Sequence, residues 1–76
     1  MNLFELHSGE ECLIDKITLS GSMRRRLLDL GLAPNTKVKC VGKSPLGDPK
    51  AFLIRGAVIA LREETCQKIL IKDVIM

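Results

Sequence analysis

Ala51 to Leu61 reads AFLIRGAVIAL, two short apolar runs separated by only Arg55 and Gly56. A separation that short suits a tight β-hairpin, and Gly56, lacking a Cβ, can take the positive φ that the turn demands. The runs are almost continuously apolar, which predicts strands covered on both faces. In front of them stands KSPLGDPK, where Pro45 and Pro49 cannot donate to a ladder and Gly47 loosens the backbone. This stretch is a stiffened loop.

The flanking segments supply the rest of a wall. In TKVKCV, Val38 and Cys40 fall on one face and Lys37, Lys39 and Val41 on the other. ECLIDKI pairs Cys12 with Ile14 against Glu11, Leu13 and Asp15, and KILIKDV alternates Ile69, Ile71 and Asp73 against Leu70 and Lys72. Between the first two of these strands the period changes. Met23, Leu27 and Leu30 recur at helical spacing, Leu28 widens the stripe, and Ser20 or Ser22 can cap the free amides. Gly31 suits the left-handed position after the helix, Leu32 can fold back onto Leu27, and Pro34 prevents continuation. Glu63 to Cys66 offers one further helical turn. The order predicts a mainly β fold: a small five-stranded, partly open barrel with one α-helix between strands 1 and 2 and a short helical turn before the last strand. Curling leaves five short strands the fewest exposed edges.

The 76 residues suit one domain spanning 1–76. A chain of this size buries only about 60% of its unfolded surface. The cysteines, Cys12, Cys40 and Cys66, are odd in number and lack a C-x-x-C pair, so they read as small hydrophobes in a reducing compartment, with Cys66 the one open to exposure. The longest unbroken apolar run, Ala57 to Leu61, is far too short to span a bilayer, and the acidic start has no signal-peptide core. The expected location is cytoplasmic, without direct membrane insertion. The net charge of +3 conceals a partition: residues 1–15 carry −4, residues 16–62 carry +8 and residues 63–76 carry −1. A basic middle can face nucleic acid, an acidic partner surface or lipid headgroups.

Catalytic chemistry is poorly served. His7 is the sole histidine, no base neighbours any cysteine in sequence, and LGDP lacks the glycines and the Lys-Ser/Thr of a phosphate loop. Asp48 reads as a turn residue binding local backbone. The chain is therefore read as a non-enzyme, with no catalytic residues. Structural zinc needs short paired Cys or His spacings that are missing here. Fe2+ accepts imidazole and carboxylate, which makes His7 with Glu5, Glu10 or Glu11 a weak candidate site, against a solvated, partly mobile terminus as the favoured reading.

RRRLLDLGLAPNTKVKCV, then SPLGDP, then IRGAVIALREETCQKILI together resemble the ferrous iron transport protein A family, FeoA, whose members are similar to the SH3-like C-terminal domain of diphtheria-toxin-repressor-type metal regulators. The match runs from about Cys12 to Lys72. Ala57 stands where members often carry a larger residue, and the cysteines are not family features. The resemblance implies an SH3-like barrel acting as an accessory protein of Fe2+ uptake. Its implied partner is FeoB, an inner-membrane Fe2+ transporter with a cytoplasmic GTP-binding domain, which would hold the chain peripheral to the membrane. It also implies binding of a divalent transition metal (Fe2+, Zn2+ or Mn2+), for which the residues themselves offer only the weak candidates His7 and Glu10. A monomer or weak homo-oligomer is expected.

The helix supplies a candidate partner surface. Arg24, Arg25 and Arg26 occupy its first half and Asp29 its end, the reverse of what the helix dipole favours. The arginines either cover barrel surface with their stems or meet an acidic partner through forked hydrogen bonds. Arg24, Arg25 and Leu28, with Pro45, Leu46, Gly47 and Asp48 of the loop, are the expected docking residues. Two alternatives remain at this level: a free-standing metal-sensing domain and a basic nucleic-acid-binding barrel. Phe4 and Phe52 are the only aromatic residues, which argues against base stacking and against a proline-rich-peptide groove.

Overall fold

A computed structural model describes residues 1–75. The strands are β1 (Glu11–Ile17), β2 (Lys37–Lys43), β3 (Lys50–Ile54), β4 (Ala57–Leu61) and β5 (Ile69–Val74). Helix α1 (Gly21–Asp29) lies between β1 and β2, and the short helix α2 (Glu63–Cys66) between β4 and β5. All five strands join one antiparallel sheet in the order β4-β3-β2-β1-β5. No ladder links β4 to β5 among the described residues, so the roll stays open, as the strand pattern predicts.

One face of every strand feeds a common core. Cys12, Ile14, Val38, Cys40, Phe52, Ile54, Ile69 and Ile71 are buried, each spaced two residues from its neighbour on the same strand. The β3–β4 hairpin has Ile54 opposite Ala57, leaving a two-residue turn in which Arg55 (φ 50°) and Gly56 (φ 85°) are both left-handed. The hairpin is covered on one face only, contrary to expectation: Val58 is 66% and Leu53 36% exposed. Among the described residues no helix or second sheet covers the outside of β3 and β4, so Leu53 and Val58 meet solvent.

The end of α1 follows its sequence closely. The Leu32 amide donates to the Leu27 carbonyl (3.0 Å) and the Gly31 amide to the Leu28 carbonyl (3.0 Å), with Gly31 at φ 103°. That is the Schellman arrangement, and it buries Leu27 and Leu32 in the core. The helix start and its stripe differ from expectation. Ser20 occupies the N-cap but its side chain makes no capping bond, and Met23 and Leu30 remain 41% and 36% exposed. A helix this short reaches the core through Leu27 alone; the other apolar residues stay along its flank.

The N-terminal residues are not a solvated tail. Leu3–Glu5 form a 3-10 turn closed by a capping box: Asn2 Oδ1 accepts from the Phe4 amide (2.9 Å), and Glu5 Oε1 accepts from the Asn2 amide (2.9 Å). Leu3 and Leu6 are completely buried. The Ile71 amide donates to the Met1 carbonyl (3.0 Å) and Asn2 bridges Leu70, so the first residues cover the free edge of β5.

Two of the left-handed glycines, Gly31 and Gly56, differ in surroundings. A Cβ on Gly31 would stand 3.1 Å from Arg55 Cδ and 3.2 Å from Ile54 Cγ2, whereas one on Gly56 would meet nothing within 4 Å. Gly56→Ala is expected to cost about 1 kcal/mol, from backbone strain alone, and Gly31→Ala about 2 kcal/mol or more. Denaturant melts of both variants check the order.

Candidate functional site

The helix arginines stand free on the surface. Arg24, Arg25, Leu28, Gly21 and Asp29 line a shallow cleft along α1, with Leu28 half-buried at its base. Arg25 and Asp29 are one helical turn apart on the same side, yet neither takes part in an ion pair. The ion pairs among the described residues are Lys37–Glu11 (3.7 Å) and Arg62–Asp48 (3.8 Å). These cations therefore contribute a face rather than an internal bridge.

The Ser44–Pro49 loop is pinned from within. The Gly47 amide donates to the Ser44 carbonyl (2.8 Å), the Ser44 amide to the Pro49 carbonyl (3.0 Å) and Ser44 Oγ to the Asp48 carbonyl (2.8 Å). The Asp48–Pro49 peptide is cis. Leu46 projects from the tip, 94% exposed. Asp48 does not bind local backbone as the sequence suggests. Its Oδ1 accepts from the Glu63 amide (2.9 Å), fifteen residues away, and so caps α2, whose own N-cap residue is Arg62. Asp48 lines a second cleft with Arg62, Glu63, Glu64 and Gln67. Asp48 thus lines a different cleft from Arg24, Arg25 and Leu28.

His7 and Glu10 do meet, though through the main chain: Glu10 Oε1 accepts from the His7 amide (2.7 Å). Glu5 turns back to Asn2, and Glu11 lies beside Lys37. Among the described residues no three His, Cys, Asp or Glu side chains gather as a metal would require. The donors here do not fit a resident ion.

Cys12, Cys40 and Cys66 are all free and buried, so the exposure allowed for Cys66 is absent. The α2 turn points it inward, where Sγ approaches the Leu61 carbonyl (3.8 Å). Burial pushes the Cys12 thiol from 9.0 to about 11. Burial likewise pushes Cys66 from 9.0 to about 12, with Lys50 partly opposing it. Such thiols are protonated and inert at neutral pH.

Two surface features escaped the sequence reading. A groove runs between α1 and β4, with Met23 and Leu30 on one wall and Ile59 and Ala60 on the other. Their helical and alternating spacings resemble a core pattern, which hides them. The second is a shallow depression on the outside of the sheet, bounded by Lys37, Lys39, Leu53 and Arg55.

The FeoA domain model matches residues 1–73. The chain belongs to the FeoA family. It is 33% identical over 69 residues to the Fe(2+) transport protein A/Fe(2+) transporter FeoB fusion protein of Porphyromonas gingivalis, covering 91% of this chain and 8% of that protein. The chain thus spans a small fraction of the curated relative it matches. The solution structure of FeoA from Chlorobium tepidum superposes with a TM-score of 0.91 at 30% identity, over 100% of this chain and 71% of that one. FeoA of Stenotrophomonas maltophilia, a prokaryotic SH3 domain protein solved as a zinc complex, superposes at 0.81 with 24% identity, over 95% and 89% of the two chains. A manganese-dependent transcriptional repressor gives 0.80 at 15% identity, over 93% of this chain and 40% of its own. The last two likenesses are of fold. They bear out the SH3-like FeoA architecture that the sequence motifs suggest.

Three outcomes follow from this geometry. The folded chain should leave Ellman's reagent unreacted at about pH 8 and release three thiols on unfolding. Because folding raises the Cys12 and Cys66 values, their contribution to stability is complete below pH 9.0 and is lost as pH rises through about 11 and 12, which alkaline denaturation would show. Asp48→Ala should cost about 1 kcal/mol by uncapping α2, read as faster hydrogen exchange at the Glu63 amide.

Proposed function

We propose that this chain is a small accessory protein of ferrous iron uptake that works by docking onto an FeoB-type Fe2+ transporter, without chemistry of its own. One observation carries the reading: in the Porphyromonas gingivalis relative, Fe(2+) transport protein A and the transporter FeoB are a single fusion protein. Fusion joins partners that would otherwise have to meet by diffusion, and a domain related to a fused one is suited to meeting the same partner as a separate chain. The location proposed is the cytoplasmic side of the membrane, peripheral to it through the transporter.

Surface chemistry supports docking. The buried thiols offer no accessible nucleophile, and the surface is marked instead by exposed aliphatic side chains and by cations that make no ion pair among the described residues. Arg24 and Arg25 beside Leu28 form one contact area, with guanidinium groups suited to carboxylates. The Pro45–Asp48 loop forms a second: its main chain is already fixed by three hydrogen bonds, so Leu46 can enter a partner pocket at little entropic cost. Docking can change transport only if the chain binds one state of the transporter more tightly than another.

The test is capture of the full-length transporter from native membranes, with its nucleotide state varied. Wild-type chain should retain it in at least one state. Arg24→Glu with Arg25→Glu should cut capture by about tenfold or more while leaving the melting temperature within a few degrees, since both side chains are exposed and make no ion pair among the described residues. No capture in any state would end the docking reading, and capture unchanged by the charge reversal would remove α1 from the interface.

A further inference from the structure

The outward side chains of β2, β3 and β4 make one continuous surface. Strand register sets Lys39 opposite Leu53, and Leu53 opposite Val58, in a row that crosses three strands. Val41 lies next to this row where β2 shifts register between Cys40 and Gly42, and it is 43% exposed. Lys37 and Arg55 flank the row, sharing with Lys39 and Leu53 the depression on the sheet's outer side. Glu11 is the acidic residue bordering that depression, and its carboxylate already lies 3.7 Å from Lys37. Lys39 and Arg55 have no carboxylate within ion-pair distance among the described residues.

This combination is poorly explained by folding. Aliphatic side chains left partly exposed, beside two cations with no carboxylate within ion-pair distance among the described residues, give the isolated chain little. Arg55 is also held in place: it sits at φ 50° in the turn, and its Cδ passes close over Gly31. It also lines the depression beside Leu53.

We propose that this face lies against an anionic bilayer surface, with Lys37, Lys39 and Arg55 at the lipid phosphates and Val41, Leu53 and Val58 at the boundary between headgroups and acyl chains. The proposal rests on the reading of the chain as an accessory to a membrane transporter. An open sheet face is broad and shallow, which suits a planar partner better than a projecting peptide. Cations on long apolar stems around short aliphatic side chains are the arrangement that interfacial binding rewards. A second copy placed face to face would oppose like charges. Nucleic acid would gain nothing from the valines and leucine, and the face has no ring on which a base could stack.

The experiment is co-sedimentation of the full chain with vesicles of phosphatidylglycerol and phosphatidylethanolamine, beside vesicles of phosphatidylcholine alone. Partitioning onto the anionic vesicles should exceed that onto phosphatidylcholine by about tenfold or more, and most of it should vanish when salt is raised from about 0.05 M to about 0.5 M. Lys39→Gln and Arg55→Gln should each weaken binding about fivefold, the equivalent of about 1 kcal/mol per cation at the surface. Val58→Asp should weaken it further with the melting temperature unchanged. If Arg55→Gln disturbs the hairpin, Lys37→Gln with Lys39→Gln carries the same test. Equal partitioning onto both vesicles overturns the proposal, as does binding that survives the Lys39 and Arg55 changes or that is lost only with Arg24→Glu and Arg25→Glu. Variants that bind vesicles normally but lose the transporter would assign the face to an acidic protein surface and overturn it too. No transporter is present in the vesicle assay, so its failure leaves the capture result, and the docking reading, standing.

Discussion

The Lys50 ammonium fastens the first residues of the chain to the barrel, and the core depends on them. It donates to the Phe4 carbonyl (2.6 Å) and the Leu6 carbonyl (3.0 Å) and stands 4.5 Å from the centre of the Phe4 ring. These groups lie at and just after the 3-10 turn, where carbonyls have run out of helical partners. Carbonyl oxygens and a ring face compensate a half-buried cation that has no carboxylate within ion-pair distance among the described residues. What the fastening holds in place is Leu3 and Leu6, both wholly buried. Burying two leucines is worth roughly 4 kcal/mol, comparable with the entire stability of many small domains. A barrel of five short strands cannot spare that contribution.

The parts of this fold that were legible in the sequence are those governed by local geometry. Alternation with period two on β1, β2 and the first half of β5 identifies the inner face because a strand has no other way to present its side chains; it fails at Asp73, which is exposed while Val74 packs against the core. Gly31 and Gly56 mark a helix end and a hairpin turn because few other residues tolerate those backbone angles. What escaped depends on contacts between distant segments. Nothing in MNLFELHSGE announces that Leu3 and Leu6 enter the core, because the residue that holds them, Lys50, is more than forty positions away. Asp48 looks like a turn residue until the Glu63 amide is seen to need an acceptor. Met23 and Leu30 have the spacing of a buried stripe, yet whether a stripe is buried depends on what stands opposite, and here a groove does. The candidate docking residues show the same division. Their charge and type could be read directly, while their distribution over separate clefts could not.

The structure also gives meaning to the partition of charge along the chain. The acidic first segment is largely used internally: Glu5 and Glu10 accept from nearby main-chain amides, and Glu11 lies beside Lys37. The basic middle is used outwardly, with Arg24, Arg25, Lys39 and Arg55 lacking carboxylate partners among the described residues. A modest net charge of +3 therefore understates the field that a partner meets. The same economy applies to the thiols. Chemically versatile groups are placed inside as filler, so the surface is left to charge and shape.

Those outward cations lie on different elements, α1 on one hand and the β2–β4 face on the other. In the proposed arrangement this separation lets one small domain engage a transporter and the lipid around it together. Neither contact needs to be strong. A chain held loosely on the bilayer is confined to a thin layer near its partner, and each contact then raises the effective concentration for the other without any new interaction. Covalent fusion reaches the same confinement by a tether. A weak, salt-sensitive second contact gives confinement of the same kind without a covalent link, and an apolar row edged by cations is a physically sufficient way to supply it.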